Sequence, residues 1–256
     1  MAHEQKWPDI LWIARHGESA GNVACDAAMK AGVAMIDIPT RDVDVPLSPL
    51  GERQAAALGR WFGDLPPGER PTVMLASPYA RAHRTAEIAQ EIAGISPSEV
   101  PIVVDERLRE KEFGILDRLT RIGIAEKYPD QAEFRRLLGK FYHRPPGGES
   151  WCDVILRLRS VVDTVTREYG RERVLIVCHS VVVLCFRYLV ERMTEEQILA
   201  IDGAEEIANC SVTSYRFDPT LGKRGKFALE LFNYVVPVEE AGEKVTKEPD
   251  ARTVGG

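Results

Sequence analysis

The amino-acid sequence predicts an α/β fold with a largely parallel central sheet and helices on both of its faces. Short apolar runs alternate with longer segments of helical periodicity, and this alternation is typical of parallel sheets. Four apolar runs, each bounded by turn or cap residues, are predicted to be buried strands: residues 10–14, 73–76, 102–104 and 174–178. With 256 residues the chain is long enough to bury a core of its own. We therefore expect a single domain.

The segments between these runs repeat apolar residues with the period of a helix. Ser77 and Ser150 precede two of them and are predicted to cap the helices through their side chains. Ser48 is predicted to do the same for a third, with Pro49 in its first turn. The predicted helices are residues 50–62, 78–93, 151–168 and 181–192.

The C-terminal part of the chain predicts a hairpin and then a tail. Residues 211–217 and 227–235 alternate apolar and polar side chains, and a short segment with proline and glycine separates them, which favours a hairpin that extends the sheet. After Pro237 the sequence is charged and has no aromatic residue. We predict a domain of residues 1–236 followed by a disordered tail, 237–256.

Residues 118–147 are predicted to be a helical insert near the active site. The insert contains seven basic and three acidic residues, a local charge of +4 in a chain whose net charge is −6. This charge fits a lid over an anion site, but it fits a solvated helix face as well. Both interpretations stay open at this point.

Composition narrows the possible functions. The net charge of −6 argues against a general nucleic-acid binder and against a basic protein of the membrane surface. No stretch approaches the roughly 18 apolar residues of a membrane span, and the N-terminus has no apolar signal segment, so we expect a cytoplasmic protein. The five cysteines form no CxxC pair and no cluster with zinc-ligand spacing. We expect reduced thiols and no metal site.

Polar side chains follow three of the predicted strands at the point where each strand runs into a helix. Arg15 and His16 follow the first strand, Arg81 lies just beyond the second, and His179 and Ser180 follow the fourth. Ligands of open α/β sheets bind beyond the carboxyl ends of the strands, so these groups are expected to converge. The planar guanidinium group of an arginine can donate to two phosphate oxygens at once, and the N-terminus of a helix adds backbone N–H donors. The pattern predicts a phosphate site.

Other polar groups come near this predicted site. Asn22 supplies an amide within one or two helical turns of His16. The loop after the third strand carries several carboxylates, among them Glu106, Glu110 and Glu112. Arg144 lies in a segment, 141–150, that would line the entrance of the site as a substrate contact, or would form only a rigid turn before the next helix.

Five tracts, taken in chain order, resemble the histidine phosphatase superfamily, in its phosphoglycerate-mutase-like branch. The similarity spans roughly residues 10–190. It implies an enzyme without cofactor or metal that transfers a phosphoryl group through a phosphohistidine. The tracts are RHGES (15–19) with Asn22, LSPLGERQA (47–55), SPYARA (77–82), LRE (108–110) and CHS (178–180).

The resemblance also implies a role for each site residue. His16 would be the phosphorylated nucleophile, and Glu110 would be the general acid and base. Asn22 would be an additional phosphate ligand. The remaining residues of the phosphate pocket would be Arg15, Arg81 and His179.

Two departures from the family pattern bear on the function. Ser180 stands where many members have glycine, so a hydroxyl or a differently placed amide is expected to face the phosphate. It also stands where the acid-phosphatase branch places an aspartic acid, which leaves Glu110 as the better acid. The sequence KEFG (111–114) stands where phosphoglycerate mutases usually have tyrosine-rich substrate contacts.

We therefore predict a phosphatase that acts on a small phosphorylated substrate, without a nucleic-acid or membrane partner. A phosphoglycerate-mutase-type phosphotransferase is one alternative, and a catalytically silent binding protein of the same fold is another. A homo-oligomer stays open as well.

Overall fold

A six-stranded sheet forms the centre of the protein, in a computed structural model that describes residues 5–247. The spatial order of the strands is β3-β2-β4-β1-β5-β6. β1 to β4 are parallel, β5 is antiparallel to β1, and β6 is antiparallel to β5. The four predicted parallel strands and the predicted hairpin are confirmed. The strands are β1 (Ile10–Arg15), β2 (Val73–Ala76), β3 (Ile102–Val104), β4 (Arg173–Cys178), β5 (Val212–Asp218) and β6 (Lys226–Tyr234).

Helices cover both faces of this sheet, as predicted. Besides short 3₁₀ turns, residues 5–247 contain α1 (Ala20–Ala31), α2 (Pro49–Asp64), α3 (Ala80–Ile92), α4 (Arg121–Lys127), α5 (Pro129–Tyr142), α6 (Trp151–Glu168), α7 (Ser180–Glu191), α8 (Glu195–Ala204) and α9 (Val236–Glu240). α6, α7 and α8 pack on one face, and α2, α3 and α9 pack on the other. No helix among these described residues is long and apolar enough to cross a membrane.

The apolar run of β1 shows why a continuous hydrophobic sequence forms a central strand. Leu11 and Ile13 point into the core beneath α6 and α7, whereas Trp12 and Ala14 point into the core beneath α2 and α3. Each is 4% exposed or less. Because both faces are covered, every position of the strand has to be apolar. The chain becomes polar only at Arg15, where the strand ends.

Local capping follows the predictions at two helices and departs from them at a third. The hydroxyl of Ser48 accepts a hydrogen bond from the Gly51 N–H in the first turn of α2, and Ser150 caps α6 in the same way. The predicted cap at Ser77 is wrong. α3 begins later, after Tyr79, and the Ser77 hydroxyl lies 2.8 Å from Nε2 of His179. The hydroxyl that resembles a helix cap therefore contacts the histidine that follows β4 instead.

The insert at 118–147 is helical, as predicted, because α4 and α5 both lie within it. Gly139 interrupts α5 with a φ of 76°, a left-handed conformation that favours glycine. The bend turns the end of the insert before the chain enters α6. Its action as a lid stays a prediction.

The predicted disordered tail is wrong for residues 237–247. α9 starts at Val236, and Val238 is fully buried against the core that α2 and α3 also cover. Thr246 is only 1% exposed. A few well-placed apolar and hydroxyl groups hold the segment despite its charged composition. Residues 248–256 of the predicted tail lie outside the described residues.

Candidate active site

His16 lies at the carboxyl end of β1 and is fully buried. Its backbone N–H donates to the carbonyl of Cys178 at 2.9 Å, which holds it beside the end of β4. Nδ1 of its ring lies 2.6 Å from the carbonyl oxygen of Gly17, which can only accept, so Nδ1 carries the proton. Nε2 then keeps its lone pair, and Nε of Arg81 donates to it at 3.3 Å. These two contacts hold the ring with Nδ1 protonated and Nε2 unprotonated.

His179 faces His16 across the ends of β1 and β4. The two ring centroids are 5.1 Å apart, and the ring planes make an angle of 64°. Tyr79 packs edge-on against the other side of His179, also with 5.1 Å between centroids. The expectation that the residues after two separate strands share one pocket is confirmed for these histidines.

Two arginines complete the pocket, and both are buried. Arg15 is fully buried, and its Nη1 donates to the carbonyl of Ile207 at 2.6 Å. Arg81, in the first turn of α3, is 1% exposed. The hydroxyl of Thr85 donates to the Arg81 carbonyl at 2.7 Å and accepts from the Gly17 N–H at 3.0 Å, which ties α3 to the His16 loop. Two buried cations beside a neutral histidine suit a phosphoryl group.

The sequence gives no sign of the contact that Asp42 makes with Arg81. One carboxylate oxygen lies 3.0 Å from Nη1 of Arg81, the other accepts from Nη2 at 3.3 Å, and the Asp42 carbonyl accepts from Nη1 at 2.6 Å. Asp42 belongs to a 3₁₀ turn in the long connection before α2, far from any motif. Its carboxylate occupies donors of Arg81 that a phosphate would use.

Asp42→Asn is expected to lower the KM for a phosphate monoester by roughly two- to fivefold, because it removes a negative charge that repels the substrate from Arg81. Asp44→Asn is the matched control, since Asp44 lies in the same turn but pairs with the exposed Arg41. Initial rates over a range of substrate concentrations measure both. A higher KM in Asp42→Asn would instead make Asp42 a substrate-binding residue.

Glu110 lies in the loop after β3 and is 1% exposed, with one carboxylate oxygen 2.7 Å from the Lys111 backbone N–H. Glu112, two positions on, accepts a hydrogen bond from the Tyr79 hydroxyl at 2.8 Å. Burial raises the pKa of Tyr79, and Glu112 raises it further, so the phenol stays protonated and donates. Glu106 is exposed on a 3₁₀ turn. Of the three carboxylates named from the sequence, Glu110 is the buried one.

Glu149 fixes the loop that carries Glu110, a role not visible in the sequence. Its carboxylate pairs with Arg109 at 2.8 Å and Arg157 at 2.9 Å, and it accepts from the Glu112 N–H at 3.1 Å. Burial by itself would raise the pKa of Glu149, but the hydrogen bond from Arg157 and the charges of both arginines outweigh burial and lower it. The carboxylate is therefore a permanent anchor for the loop.

The other predicted site residues are less closely grouped. Asn22 uses its carbonyl oxygen to accept from the N–H and the hydroxyl of Ser19, so it closes the capping box of α1. Ser180 is the half-buried first residue of α7. The Arg144 side chain is 66% exposed, lies 3.6 Å from Asp153 and donates to the Gly148 carbonyl. None of these contacts joins Arg144 to the histidines, and its contact with substrate stays a prediction.

Residues 11–226 match the family model of the histidine phosphatase superfamily, branch 1. The chain belongs to this superfamily. The match covers both histidines, both arginines and Glu110, so the family resemblance found in the sequence is confirmed. It also includes the insert between β3 and α6.

Similar proteins of this superfamily include phosphatases and mutases. A probable fructose-2,6-bisphosphatase of Schizosaccharomyces pombe is 28% identical over 190 residues, which cover 73% of this chain but 40% of that protein, so the chain spans less than half of its length. A 2,3-bisphosphoglycerate-dependent phosphoglycerate mutase of Gloeobacter violaceus is 28% identical over 75% of this chain and 80% of its own. A mycobacterial glucosyl-3-phosphoglycerate phosphatase shares the fold, with a TM-score of 0.66, 24% identity, and coverage of 88% of this chain and 99% of that one.

In this histidine phosphatase homologue a C-terminal segment braces the loop that carries His16. The amide of Asn209 donates to the His16 carbonyl at 3.1 Å. Thr246 donates its hydroxyl to the Asn209 side-chain oxygen at 2.9 Å, and its carbonyl accepts from the Asn209 N–H. The Gln54 amide donates to the same hydroxyl at 3.0 Å, while its oxygen accepts from the Glu18 N–H. The segment thus holds both ends of the His16 loop.

Thr246→Val is expected to lower the melting temperature by a few degrees and kcat by a few-fold. The valine keeps the shape but removes the hydroxyl, which leaves buried partners without a hydrogen bond at a cost of about 1–3 kcal/mol. Thr246→Ser keeps the hydroxyl and is the control. Thermal unfolding and steady-state kinetics measure the effect, and equal behaviour of the two variants would show that the brace is unimportant.

Proposed function

We propose that this protein is a phosphatase that hydrolyses a phosphate monoester through a phosphohistidine on His16. The observation that carries the proposal is the state of the His16 ring: Nδ1 is committed to the Gly17 carbonyl, and Nε2 faces buried Arg81 beside His179. A neutral imidazole whose unprotonated Nε2 is directed into a cationic pocket is what attack on phosphorus needs.

In the first step Nε2 of His16 attacks the phosphorus in line with the leaving oxygen. The N–P bond forms as the P–O bond breaks, and protonated Glu110 gives its proton to the departing alkoxide. Arg15, Arg81 and His179 stabilise the charge on the remaining phosphate oxygens. Asn22 and the N-terminus of α7 at Ser180 add hydrogen bonds to these oxygens.

In the second step water attacks the phosphohistidine. The Glu110 carboxylate takes a proton from the water, a new P–O bond forms, and the bond to Nε2 breaks. Inorganic phosphate leaves, and both His16 and Glu110 return to their starting protonation states. The residues present suffice for both steps, so the proposal involves no cofactor or metal.

A phosphoglycerate-mutase-type transfer is the second candidate, because relatives of both kinds are similar to this chain. The two functions differ only in whether water or a substrate hydroxyl accepts the phosphoryl group. The test measures inorganic phosphate and phosphorylated isomers, separately, from a panel of sugar phosphates, glycerate phosphates, nucleotides and phosphopeptides. Free phosphate supports the phosphatase, isomerisation without phosphate supports the mutase, and no phosphoenzyme on any substrate supports a silent binding protein.

We also propose that the protein works in the cytoplasm on a small phosphorylated substrate, without nucleic acid or membrane as a partner. The five cysteines are thiols, and four of them are buried, which fits a reducing compartment. The net charge of −6 argues against nucleic acid and the membrane surface as partners. Cell fractionation tests the compartment.

A further inference from the structure

Tyr79 lies between the two halves of the site and is not used by the two chemical steps. It is 5% exposed. Its ring packs edge-on against His179, with 5.1 Å between the centroids, and the guanidinium carbon of Arg81 lies 5.0 Å from the centroid of the same ring. The phenol oxygen donates to Glu112 at 2.8 Å, in the acid loop (residues 109–113) that also carries Glu110. One side chain thus joins the phosphate pocket to the acid loop.

The backbone of Tyr79 is fixed at the start of α3. Its N–H donates to the Ser77 hydroxyl at 3.3 Å, and its carbonyl accepts from the N–H groups of Ala82 and His83 at 2.9 and 3.0 Å. The Ser77 hydroxyl in turn lies 2.8 Å from Nε2 of His179. Because both the backbone and the buried ring are held, the phenol oxygen has a defined position relative to the phosphate pocket.

The acid loop is held from its other side by α6 and by the turn before α6. The Glu149 N–H donates to the Glu112 carbonyl at 2.9 Å, and the Glu149 carboxylate accepts from the Glu112 N–H. Arg157, on α6, donates to the Glu110 carbonyl at 3.2 Å. These contacts fix the loop to α6, whereas the hydrogen bond of Tyr79 ties it to the phosphate pocket.

The hydrogen bond between Tyr79 and Glu112 is of a strong kind. Burial raises the pKa of Tyr79, and the hydrogen bond and the charge of Glu112 raise it further, so the phenol stays protonated and donates. A hydrogen bond to a carboxylate is shorter and stronger than one between neutral groups. The contact is therefore suited to hold together two elements that are 33 positions apart in the sequence.

This contact bears on how Glu110 delivers its proton. Glu112 follows Glu110 by two residues in the same loop, so a displacement of one moves the other. A general acid has to be within hydrogen-bond reach of the leaving oxygen, and a misplacement of about 1 Å can slow a reaction by roughly 100-fold. Resting on the proposed function, we propose that Tyr79 is a positioning residue: its hydrogen bond to Glu112 sets the distance between the acid loop and the phosphate pocket and thereby places Glu110 at the leaving oxygen.

Tyr79→Phe tests this role, because it removes the hydrogen bond but keeps the ring against His179 and Arg81. In single turnover on the alkyl phosphate that the unaltered protein hydrolyses fastest, we expect the first chemical step to slow by about 10- to 100-fold. On nitrophenyl phosphate, whose leaving group needs little protonation, we expect a loss of less than about threefold. The KM for both substrates should change by less than about twofold, because the phosphate pocket is intact.

Variants of Glu112 test the other end of the hydrogen bond. Glu112→Ala should reproduce the leaving-group dependence of Tyr79→Phe, and Glu112→Gln should restore most of the rate, because its amide oxygen still accepts from the phenol. The double variant Tyr79→Phe/Glu112→Ala should be no slower than either single variant, since both changes remove one and the same contact. A loss in Glu112→Gln as large as that in Glu112→Ala would assign the effect to the carboxylate itself and overturn the inference.

Tyr215→Phe is the matched control for a purely structural effect. Tyr215 is fully buried and its phenol donates to Glu191 at 2.7 Å, but it pairs with Leu11 near the start of β1, whereas the site lies beyond the end of that strand. The variant therefore removes the same kind of hydrogen bond away from the site. It should lower the melting temperature by a few degrees and leave the rates on both substrates unchanged.

The dependence on the leaving group decides between the outcomes. Equal slowing on the two substrates would make Tyr79 a support of the phosphate pocket, and unchanged rates would make its hydrogen bond irrelevant to catalysis; either result overturns the inference. Hydrolysis of nitrophenyl phosphate but of no alkyl phosphate would overturn it as well, because no acid step would then depend on Tyr79. Phosphate release by the unaltered protein keeps the proposed function in each of these cases, whereas no release from any substrate would reject the proposed function itself.

Discussion

His16→Ala is expected to reduce phosphate release by about 10⁴-fold or more, because the variant has no nitrogen to accept the phosphoryl group. The folded state should survive. The ring makes hydrogen bonds with the Gly17 carbonyl and the Arg81 side chain, and losing them is expected to cost about 1–3 kcal/mol, a small effect on a domain of this size. Phosphate release and circular dichroism measure the two effects.

His83→Ala is the matched control for this variant. His83 is also a histidine near the end of a strand, but its side chain is 36% exposed and lies 3.4 Å from Glu87 along α3. It should leave turnover unchanged. The unaltered protein, quenched during turnover, should carry one acid-labile phosphoryl group on His16. Substantial phosphate release by a folded His16→Ala protein would reject His16 as the nucleophile.

The groups that the sequence located correctly are those tied to strand ends. A continuous apolar run such as β1 or β4 forms a strand with both faces buried, and its first polar residue is then forced to the edge of the sheet. Arg15, His16 and His179 are such residues, and parallel pairing brings Arg15 opposite Cys178. The pairing register of a buried sheet is strongly specified. The local pattern at each strand end therefore predicted a contact between residues that are separated by more than half of the sequence.

The contacts that the sequence did not reveal depend on loops. Asp42 reaches Arg81 from a turn without a hydrophobic pattern, and Thr246 reaches Asn209 from a segment whose composition is typical of disorder. Ser77 precedes a helix and has the residue type of a cap, but His179 uses its hydroxyl. In each case polar contacts with a distant residue decide the position, and such contacts leave no periodic trace in the sequence.

The basic insert also has one property that the sequence predicts and one that it does not. The charge of +4 can be counted from the sequence, but which of the cations are exposed and which are buried cannot. Arg136 pairs with Glu133 on the surface, whereas its neighbour Arg135 is 7% exposed. Helical periodicity puts adjacent residues on different faces, and only the packing of α5 shows which face is buried.

Glu110→Gln is expected to slow the first chemical step by about 10²- to 10⁴-fold on an alkyl phosphate and by less than about tenfold on a nitrophenyl phosphate. An alkoxide is a strong base and needs a proton as it leaves, whereas nitrophenolate leaves readily without one. Glutamine keeps the shape and can still accept from the Lys111 N–H, so the loop should stay in place. Single-turnover rates are required, because in the steady state the same carboxylate is also needed to activate water.

Glu106→Gln is the control for this last experiment, since Glu106 carries the same group on the same loop but is exposed to solvent. It should leave the rates on both substrates unchanged. A large difference between leaving groups in Glu110→Gln, absent in Glu106→Gln, assigns the proton to Glu110. Equal slowing on both substrates would instead make Glu110 a binding or structural residue. Glu112 would then be the next candidate, because its hydrogen bond with Tyr79 places it beside His179.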